Sequence, residues 1–249
     1  MNFQSKWNTF VEHFLEKEGW RDVVTGLENT LKIAVIGLII GIVLGTLLAA
    51  VRVMPKYSRT ARVLDRIAGV YIAAFRGTPI VVQLLLGYFV LMPLIGLGRV
   101  PAETACIFFF GLNSAAYVSE IMRGGLNSVD GGQMEAGRAL GLSYGTTMLR
   151  IVIPQAVKNI IPTLGNELIT LLKETSVIGL VGAMDFSKAF TKLGDNSYEP
   201  MVPYIVMAIC YVLIILLVSL LIRSVERLLA KSDRTAPANT KKSKVGGVG

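Results

Sequence analysis

Long apolar stretches, separated by short charged connections, dominate the chain. Each approaches the length of about 20 residues that an α-helix needs to cross the hydrocarbon core of a bilayer. They lie at about 28–51, 79–95, 102–123, 157–180 and 202–223. Charged residues gather mainly between these stretches, which is typical of membrane spans. We therefore predict an all-α membrane protein with about five transmembrane helices.

The second span is predicted to be broken. A basic amphipathic segment at about 59–75 indicates a helix that ends at Arg76 and Gly77. Thr78 is a good N-terminal cap and Pro79 suits the first turn of a helix. We therefore expect a new helix to begin here and to continue to about residue 95.

The first span carries glycines at a four-residue interval. Gly37, Gly41 and Gly45 fall on one side of a helix, where the missing side chains leave a ridge of small residues. Such ridges let two membrane helices approach closely. We expect this side of the first span to pack tightly against another helix.

Basic residues set the expected orientation, because they are enriched in cytoplasmic connections. With five spans, three basic regions fall on the same side of the membrane, which must be the cytoplasmic side. Their members are Arg52, Lys56, Arg59, Arg62, Arg66, Arg123, Arg138, Arg150, Lys158, Arg223, Arg227, Lys231, Arg234, Lys241, Lys242 and Lys244. The N-terminus is then outside and the C-terminus inside.

Three regions follow from this reading. Residues 1–25 are predicted to include a helix in the outer membrane interface, because Phe3, Trp7, Phe10 and Phe14 recur at helical spacing. Residues 26–230 form the transmembrane domain. Residues 231–249 are rich in Lys, Gly and Thr and are predicted to be a disordered cytoplasmic tail.

Composition excludes several functions. The net charge of +8 would suit a nucleic-acid partner, but the basic residues lie at the ends of apolar stretches, so we expect membrane lipid instead. Cys106 and Cys210 lie within apolar stretches, and His13 is the only histidine, so no metal site is predicted. The sequence has no Gly-Lys pair, hence no phosphate-binding loop, and no pairing of nucleophile and base. We expect neither an enzyme nor a cofactor bound by this chain alone.

The connection between the third and fourth spans carries the most specific motif. Residues 135–154 read EAGRALGLSYGTTMLRIVIP. The spacing of Glu135, Ala136, Gly141, Ile151 and Pro154 resembles that of the cytoplasmic EAA loop of ABC-importer permeases, with a glycine in place of the usual second alanine. Residues 128–140 are predicted to form one helix, which Gly141 stops. Ser143 would cap a second helix from Tyr144 to about residue 150, and Pro154 would begin the fourth span.

Three further segments resemble the polar amino-acid branch of these permeases (the histidine, glutamine and arginine type). They are Phe75–Pro79 with Val82–Leu84, Asn113–Tyr117 with Glu120 and Arg123–Gly125, and Lys173–Ser176. The resemblance implies the type I importer permease (MetI-like) fold in the bacterial inner membrane. It also implies two copies of an ATPase that binds ATP and Mg²⁺, a second permease subunit, an extracytoplasmic binding protein and a polar amino acid as solute. In such an assembly the 135–154 loop, with Ser143 and Tyr144, transmits closure of the ATPase.

Glu167 is the most informative charge within a span. An ionised carboxylate near the bilayer centre costs roughly 2.5–3.5 kcal/mol, so it requires a partner or a wet cavity. The ammonium group of a solute would satisfy it, and so would an internal pair with Lys173 or with an arginine of a neighbour. Gln83, Asn113, Tyr117 and Thr170 are predicted at similar depth, either to contact solute or to join helices by hydrogen bonds.

Two other functional classes remain open at this point. A self-sufficient secondary transporter or channel would carry internal repeats and paired broken helices, whereas the sequence indicates one break, at Gly77–Pro79. A membrane-anchored scaffold would require neither Glu167 nor the 135–154 motif. The sequence does not decide which amino acid is carried, or whether the two permease subunits are identical.

Overall fold

The computed structural model describes residues 2–234, and every regular element in that part of the chain is helical. The helices are α1 (Phe3–Val11), α2 (Gly19–Val53), α3 (Arg59–Arg76), α4 (Ile80–Leu86), α5 (Met92–Leu94), α6 (Ala102–Asn127), α7 (Gly131–Ala139), α8 (Tyr144–Thr147), α9 (Ile153–Glu174), α10 (Phe186–Ser197) and α11 (Met201–Arg234). Wider π turns occupy Glu12–Glu16, Gly87–Leu91 and Met148–Val152, and a 3₁₀ turn occupies Thr175–Val181. The predicted all-α class is confirmed.

Within the described residues, four candidate spans are long and apolar enough to cross a membrane. They are α2, α6 and α11, and α3 with Ile80–Leu94, which forms a broken pair bent by 104°. Helix α9 is long enough for the predicted fifth span, since its 22 residues extend about 33 Å, and that span stays a prediction. It is less apolar than the others because it carries Lys158, Glu167, Lys173 and Glu174.

The centre of the fold is the contact between α2 and α6. Gly37, Gly41 and Gly45 face Phe110, Ser114 and Val118 in turn, so both helices use the same four-residue interval. A Cβ atom at Gly41 would lie 2.5 Å from the Ser114 Oγ, and one at Gly45 would lie 2.8 Å from the Val118 Cβ. The predicted close packing is confirmed.

The N-terminal region departs from the predicted boundary at residue 25. Residues 19–25 already belong to α2, and the chain turns at Glu18, which adopts a left-handed conformation with φ of 56°. Helix α1 is held against the opposite end of the chain by an ion pair of 3.0 Å between Lys6 and Glu199. Phe10 is buried in an aromatic cluster with Phe186 and Phe190, while Trp7 is exposed. Placement of α1 in the membrane interface stays a prediction.

At the C-terminus, α11 continues to Arg234. Residues 235–249 lie outside the described residues, and the predicted disorder of the tail beyond Arg234 stays a prediction.

Candidate functional site

The loop at 128–154 is built from two short helices with defined caps. Asp130 begins α7 by accepting a hydrogen bond from the Gly132 N–H at 2.8 Å. Gly141 ends it with a φ of +83°, which allows the Leu142 N–H to donate to the Gly137 carbonyl at 3.1 Å. Ser143 then caps α8 by accepting from the Thr146 N–H at 3.2 Å. The predicted end of the first helix at Gly141 and the predicted cap at Ser143 are confirmed, whereas their role in coupling to an ATPase stays a prediction.

The second half of this loop differs from the prediction in one respect. The helical backbone continues from Tyr144 into α9 without a break, so Pro154 lies just inside the span helix rather than at a separate start. Pro154 has no N–H to donate to the preceding turn. The Met148–Val152 π turn changes the hydrogen-bond pattern there. The Ile153 N–H donates to the Met148 carbonyl, five residues earlier.

Gly137 joins the two short helices. It is buried, and a Cβ atom at this position would lie 2.4 Å from the Thr147 Cγ2. The glycine at this position, where alanine is usual, therefore allows α7 and α8 to pack closely. The Asn159 Nδ2 also donates to the Ser128 Oγ at 2.8 Å, which ties the start of the loop to α9.

The outer surface of the loop is unusually apolar. Leu140, Tyr144 and Leu149 are 81%, 52% and 67% exposed. Glu135 and Ala136 are exposed as well, and within residues 2–228 the Glu135 side chain forms no ion pair or hydrogen bond. Ile151 is half-buried and Pro154 is exposed. Exposed apolar side chains on a rigid, capped loop are typical of a protein-binding surface.

The break between α3 and α4 is stabilised by Gln83. Its Nε2 donates to the Phe75 carbonyl at 2.8 Å and to the Thr78 carbonyl at 2.9 Å, while its Oε1 accepts from the Asn113 Nδ2 at 2.9 Å. Two predicted site residues, Gln83 and Asn113, are thus brought together. Asn113 is only 2% exposed, so this pair braces the break against α6.

The predicted cap at Thr78 is wrong. Pro79 has an extended backbone, with ψ of 140°, and is itself the residue that precedes α4. The Val82 N–H donates to the Pro79 carbonyl at 3.0 Å. The Thr78 hydroxyl donates instead to the Ala74 carbonyl at 2.8 Å, four residues earlier, and so caps no part of α4 but binds the last turn of α3.

Glu167 lies on the side of α9 that faces α6 and is 7% exposed. Its Oε1 accepts a hydrogen bond from the Ser114 Oγ at 3.1 Å. Within residues 2–228, no lysine or arginine forms an ion pair with it, so the alternative of a pair with Lys173 is absent there. In that part of the chain the Glu167 carboxyl group is held by the Ser114 hydroxyl.

The remaining predicted residues, Tyr117 and Thr170, have partners other than Glu167. The Tyr117 ring lies beneath the Arg76 guanidinium at 5.5 Å from the ring centroid. The Thr170 hydroxyl donates to the Asn166 carbonyl at 3.1 Å. The predicted local pair of Glu120 and Arg123 is confirmed at 2.5 Å.

Two contacts were missed by sequence reasoning. Arg76 lies 3.9 Å from Glu120, which adds a second cation to that carboxylate, and Ser114 is the hydrogen-bond donor to Glu167. Neither contact could be predicted from a local interval in the sequence, because each joins residues of two different helices. The glycine ridge held a signal for Ser114, since a small residue must face Gly41.

Comparison with known families agrees with this architecture. Residues 37–231 match the model of the family described as "Binding-protein-dependent transport system inner membrane component". The chain belongs to this permease family. The family predicted from the 135–154 motif is thereby confirmed.

Relatives extend the match over nearly the whole permease. The "Arginine transport system permease protein ArtQ" of Bacillus subtilis is 40% identical over 211 residues, which cover 85% of this chain and 94% of that protein. The "Putative glutamine transport system permease protein GlnP" of Rickettsia bellii is 41% identical over 210 residues, covering 84% and 94%.

Solved structures show the same fold. A chain in the crystal structure of an amino acid ABC transporter with histidines matches with a TM-score of 0.78 and 35% identity, covering 85% of this permease and 96% of that chain. The MetNI methionine ABC transporter matches with a TM-score of 0.68 at 20% identity, covering 83% and 95%, and this likeness concerns the fold alone. The predicted MetI-like fold is confirmed.

Proposed function

We propose that this permease carries polar amino acids into the cell as the membrane subunit of an ATP-driven importer. The observation that carries the proposal is the identity of about 40% to permeases named for arginine and glutamine transport, over more than nine-tenths of their length. In this proposal the permease forms the solute pathway and a partner subunit hydrolyses ATP, since the sequence lacks a phosphate-binding loop.

The proposed assembly contains two permease subunits, two ATPase subunits and an extracytoplasmic binding protein. Leu140, Tyr144 and Leu149 support the ATPase contact, because they expose apolar surface on a loop whose backbone is fixed by caps. ATP and Mg²⁺ bind to the ATPase. Its closure pushes the 128–154 loops of the two permeases together, and the spans reorient around the solute.

In the proposed orientation the 128–154 loop and the end of α11 are cytoplasmic, and α1 is outside. The three basic regions of the sequence support it. Single cysteines at Ser5 and Ser232, in a background without Cys106 and Cys210, test it in intact cells with a membrane-impermeant thiol reagent. We expect labelling at residue 5 only. Labelling at residue 232 and not at residue 5 would invert the orientation.

Glu167 is the proposed contact for the solute ammonium group, with Asn113, Tyr117, Gln83 and Thr170 as neighbouring polar groups. Its support is that, within residues 2–228, no cation pairs with this carboxyl group, which accepts a hydrogen bond only from the Ser114 hydroxyl, and a charge in a membrane helix requires a partner or a wet cavity. Opening of the contact between α6 and α9 would expose this carboxylate to the pathway.

Replacement of Glu167 by Gln tests the site, because the amide keeps the size of the side chain and removes its charge. In proteoliposomes holding the permease with its co-purified partners, we expect ATP-dependent uptake of arginine and glutamine by the wild type. The variant should lose affinity for arginine by about 10- to 100-fold, corresponding to the roughly 1.5–3 kcal/mol of a charged hydrogen bond, and should lose less for glutamine.

Ser114→Ala is the matched control, since it removes the hydroxyl and leaves the carboxylate. An equal loss for both solutes in Glu167→Gln, together with a lowered melting temperature, would assign Glu167 to packing between α6 and α9. No ATP-dependent uptake by the wild type would contradict the proposed function itself.

A further inference from the structure

Helix α3 begins with a concentration of arginine. Arg59, Arg62 and Arg66 lie on successive turns and, with Val63, line a surface cavity of about 270 Å³. A second cavity of about 480 Å³ shares Arg62 and Arg66 and continues along the helix past Val70. We call this pair of neighbouring cavities the arginine trough.

Within residues 2–228, the guanidinium groups of Arg59, Arg62 and Arg66 form no ion pair and no hydrogen bond. Asp65 and Arg52 also line the second cavity. The Asp65 carboxylate is already paired with Lys56 at 2.6 Å and with Arg52 at 3.3 Å. The N-terminus of a helix also disfavours cations, because the helix dipole is positive there. Three free arginines at this place therefore indicate an anionic ligand.

The same helix exposes apolar side chains beside the arginines. Val63, Ile67 and Val70 are 49%, 61% and 66% exposed and recur at the i, i+4 and i+7 positions of one face. A small anion or a nucleotide would use the guanidinium groups and leave this apolar face uncovered. A phospholipid uses both, since its phosphate meets the arginines and its acyl chain follows the apolar side chains.

We propose that the arginine trough binds the headgroup of an anionic phospholipid of the cytoplasmic leaflet. The proposal rests on the proposed orientation, which places the start of α3 on the cytoplasmic side. Lipid bound there would fix α3 next to the break at Gly77–Pro79, because α3 leads directly into it. Lipid composition would then affect transport through the mobility of the broken span.

The test is lipid binding to the full chain, purified with its partner subunits in detergent. Phosphatidylglycerol and phosphatidylcholine are titrated in turn, and bound lipid is counted by native mass spectrometry. The wild type should retain phosphatidylglycerol in preference to phosphatidylcholine. The variant R59Q/R62Q/R66Q should bind phosphatidylglycerol about 100-fold more weakly, at about 1 kcal/mol for each arginine near an anionic surface.

Two further variants keep the test decisive. R223Q/R227Q removes two exposed arginines from the end of α11 and should bind phosphatidylglycerol like the wild type. R62Q alone changes one of the two arginines that line both cavities. It should weaken binding about fivefold, which provides a test even if the triple variant fails to fold.

Several results would overturn the proposal. Phosphatidylglycerol binding that persists in the triple variant, or that falls equally in R223Q/R227Q, would show that the trough is not the lipid site. Loss of the ATPase or of the second permease from the triple variant, with lipid binding intact, would assign the trough to a protein contact. Displacement of the lipid by inorganic phosphate alone would assign it to a small anion. Amino-acid uptake by the wild type is measured separately, so the proposed import function stands or fails independently.

Discussion

Reversal of the charge at Glu135 is expected to abolish ATP-driven uptake and to leave the fold unchanged. The Glu135 side chain is exposed and has no intramolecular partner in the described part of the chain, so its replacement by Lys removes no stabilising contact. Its register with Gly141, Ile151 and Pro154 matches the EAA loop, and in the proposed function this loop contacts the ATPase. We expect uptake at the level measured without ATP, together with weaker retention of the ATPase during purification.

The matched control is Glu226→Lys, which makes the same charge reversal on α11, outside the 128–154 loop. It should transport like the wild type. Gly141→Asp is a second test of the loop, because an aspartate in the left-handed conformation at φ of +83° adds strain where α7 ends. Normal uptake by Glu135→Lys at normal expression would contradict the assigned role of the loop.

Substitution of Gly41 by Leu is expected to have the largest effect on stability. Even a Cβ atom at this position would lie 2.5 Å from the Ser114 Oγ and 2.7 Å from the Ser114 Cβ, so α2 and α6 would have to separate. Overpacking of this kind costs about 1–3 kcal/mol and occasionally more. The change would also disturb the hydroxyl that donates to Glu167.

Gly124 provides the matched control for this substitution. It lies on α6 and a Cβ atom there would meet nothing within 4 Å. Gly124→Leu should therefore leave the melting temperature in detergent unchanged or raise it, since glycine weakens a helix interior by roughly 0.5–1 kcal/mol. Equal melting temperatures for Gly41→Leu and the wild type would contradict the proposed role of the glycine ridge.

The parts of the fold that the sequence predicted were those governed by local chemistry. Apolar length located the spans, the interval of Gly37, Gly41 and Gly45 located the tightest helix contact, and Gly141 and Ser143 marked the ends of the two loop helices. Each of these signals acts within a few residues of its cause. The family motif then fixed the architecture that joins them.

The contacts between distant helices were not predictable in the same way. The Gln83 amide could have faced solute, but it joins the α3–α4 break to Asn113 because the freed carbonyls of Phe75 and Thr78 need a donor. The Thr78 cap failed for a related reason, since Pro79 adopts the extended backbone that a cap residue requires. The hydrogen bond from Ser114 to Glu167 was not predictable either, since only the packing of α6 against α9 brings the two side chains into reach.

The most direct test of the central claim is amino-acid uptake into proteoliposomes, measured with and without the ATPase subunit. Vesicles hold the purified permease, ATP and Mg²⁺ inside, and labelled arginine or glutamine with the binding protein outside. The account predicts concentrative uptake only when permease, ATPase and ATP are all present, and none with the Glu135→Lys permease. Concentrative uptake by the permease alone, driven by an ion gradient and indifferent to ATP, would contradict it and would identify a self-sufficient secondary transporter.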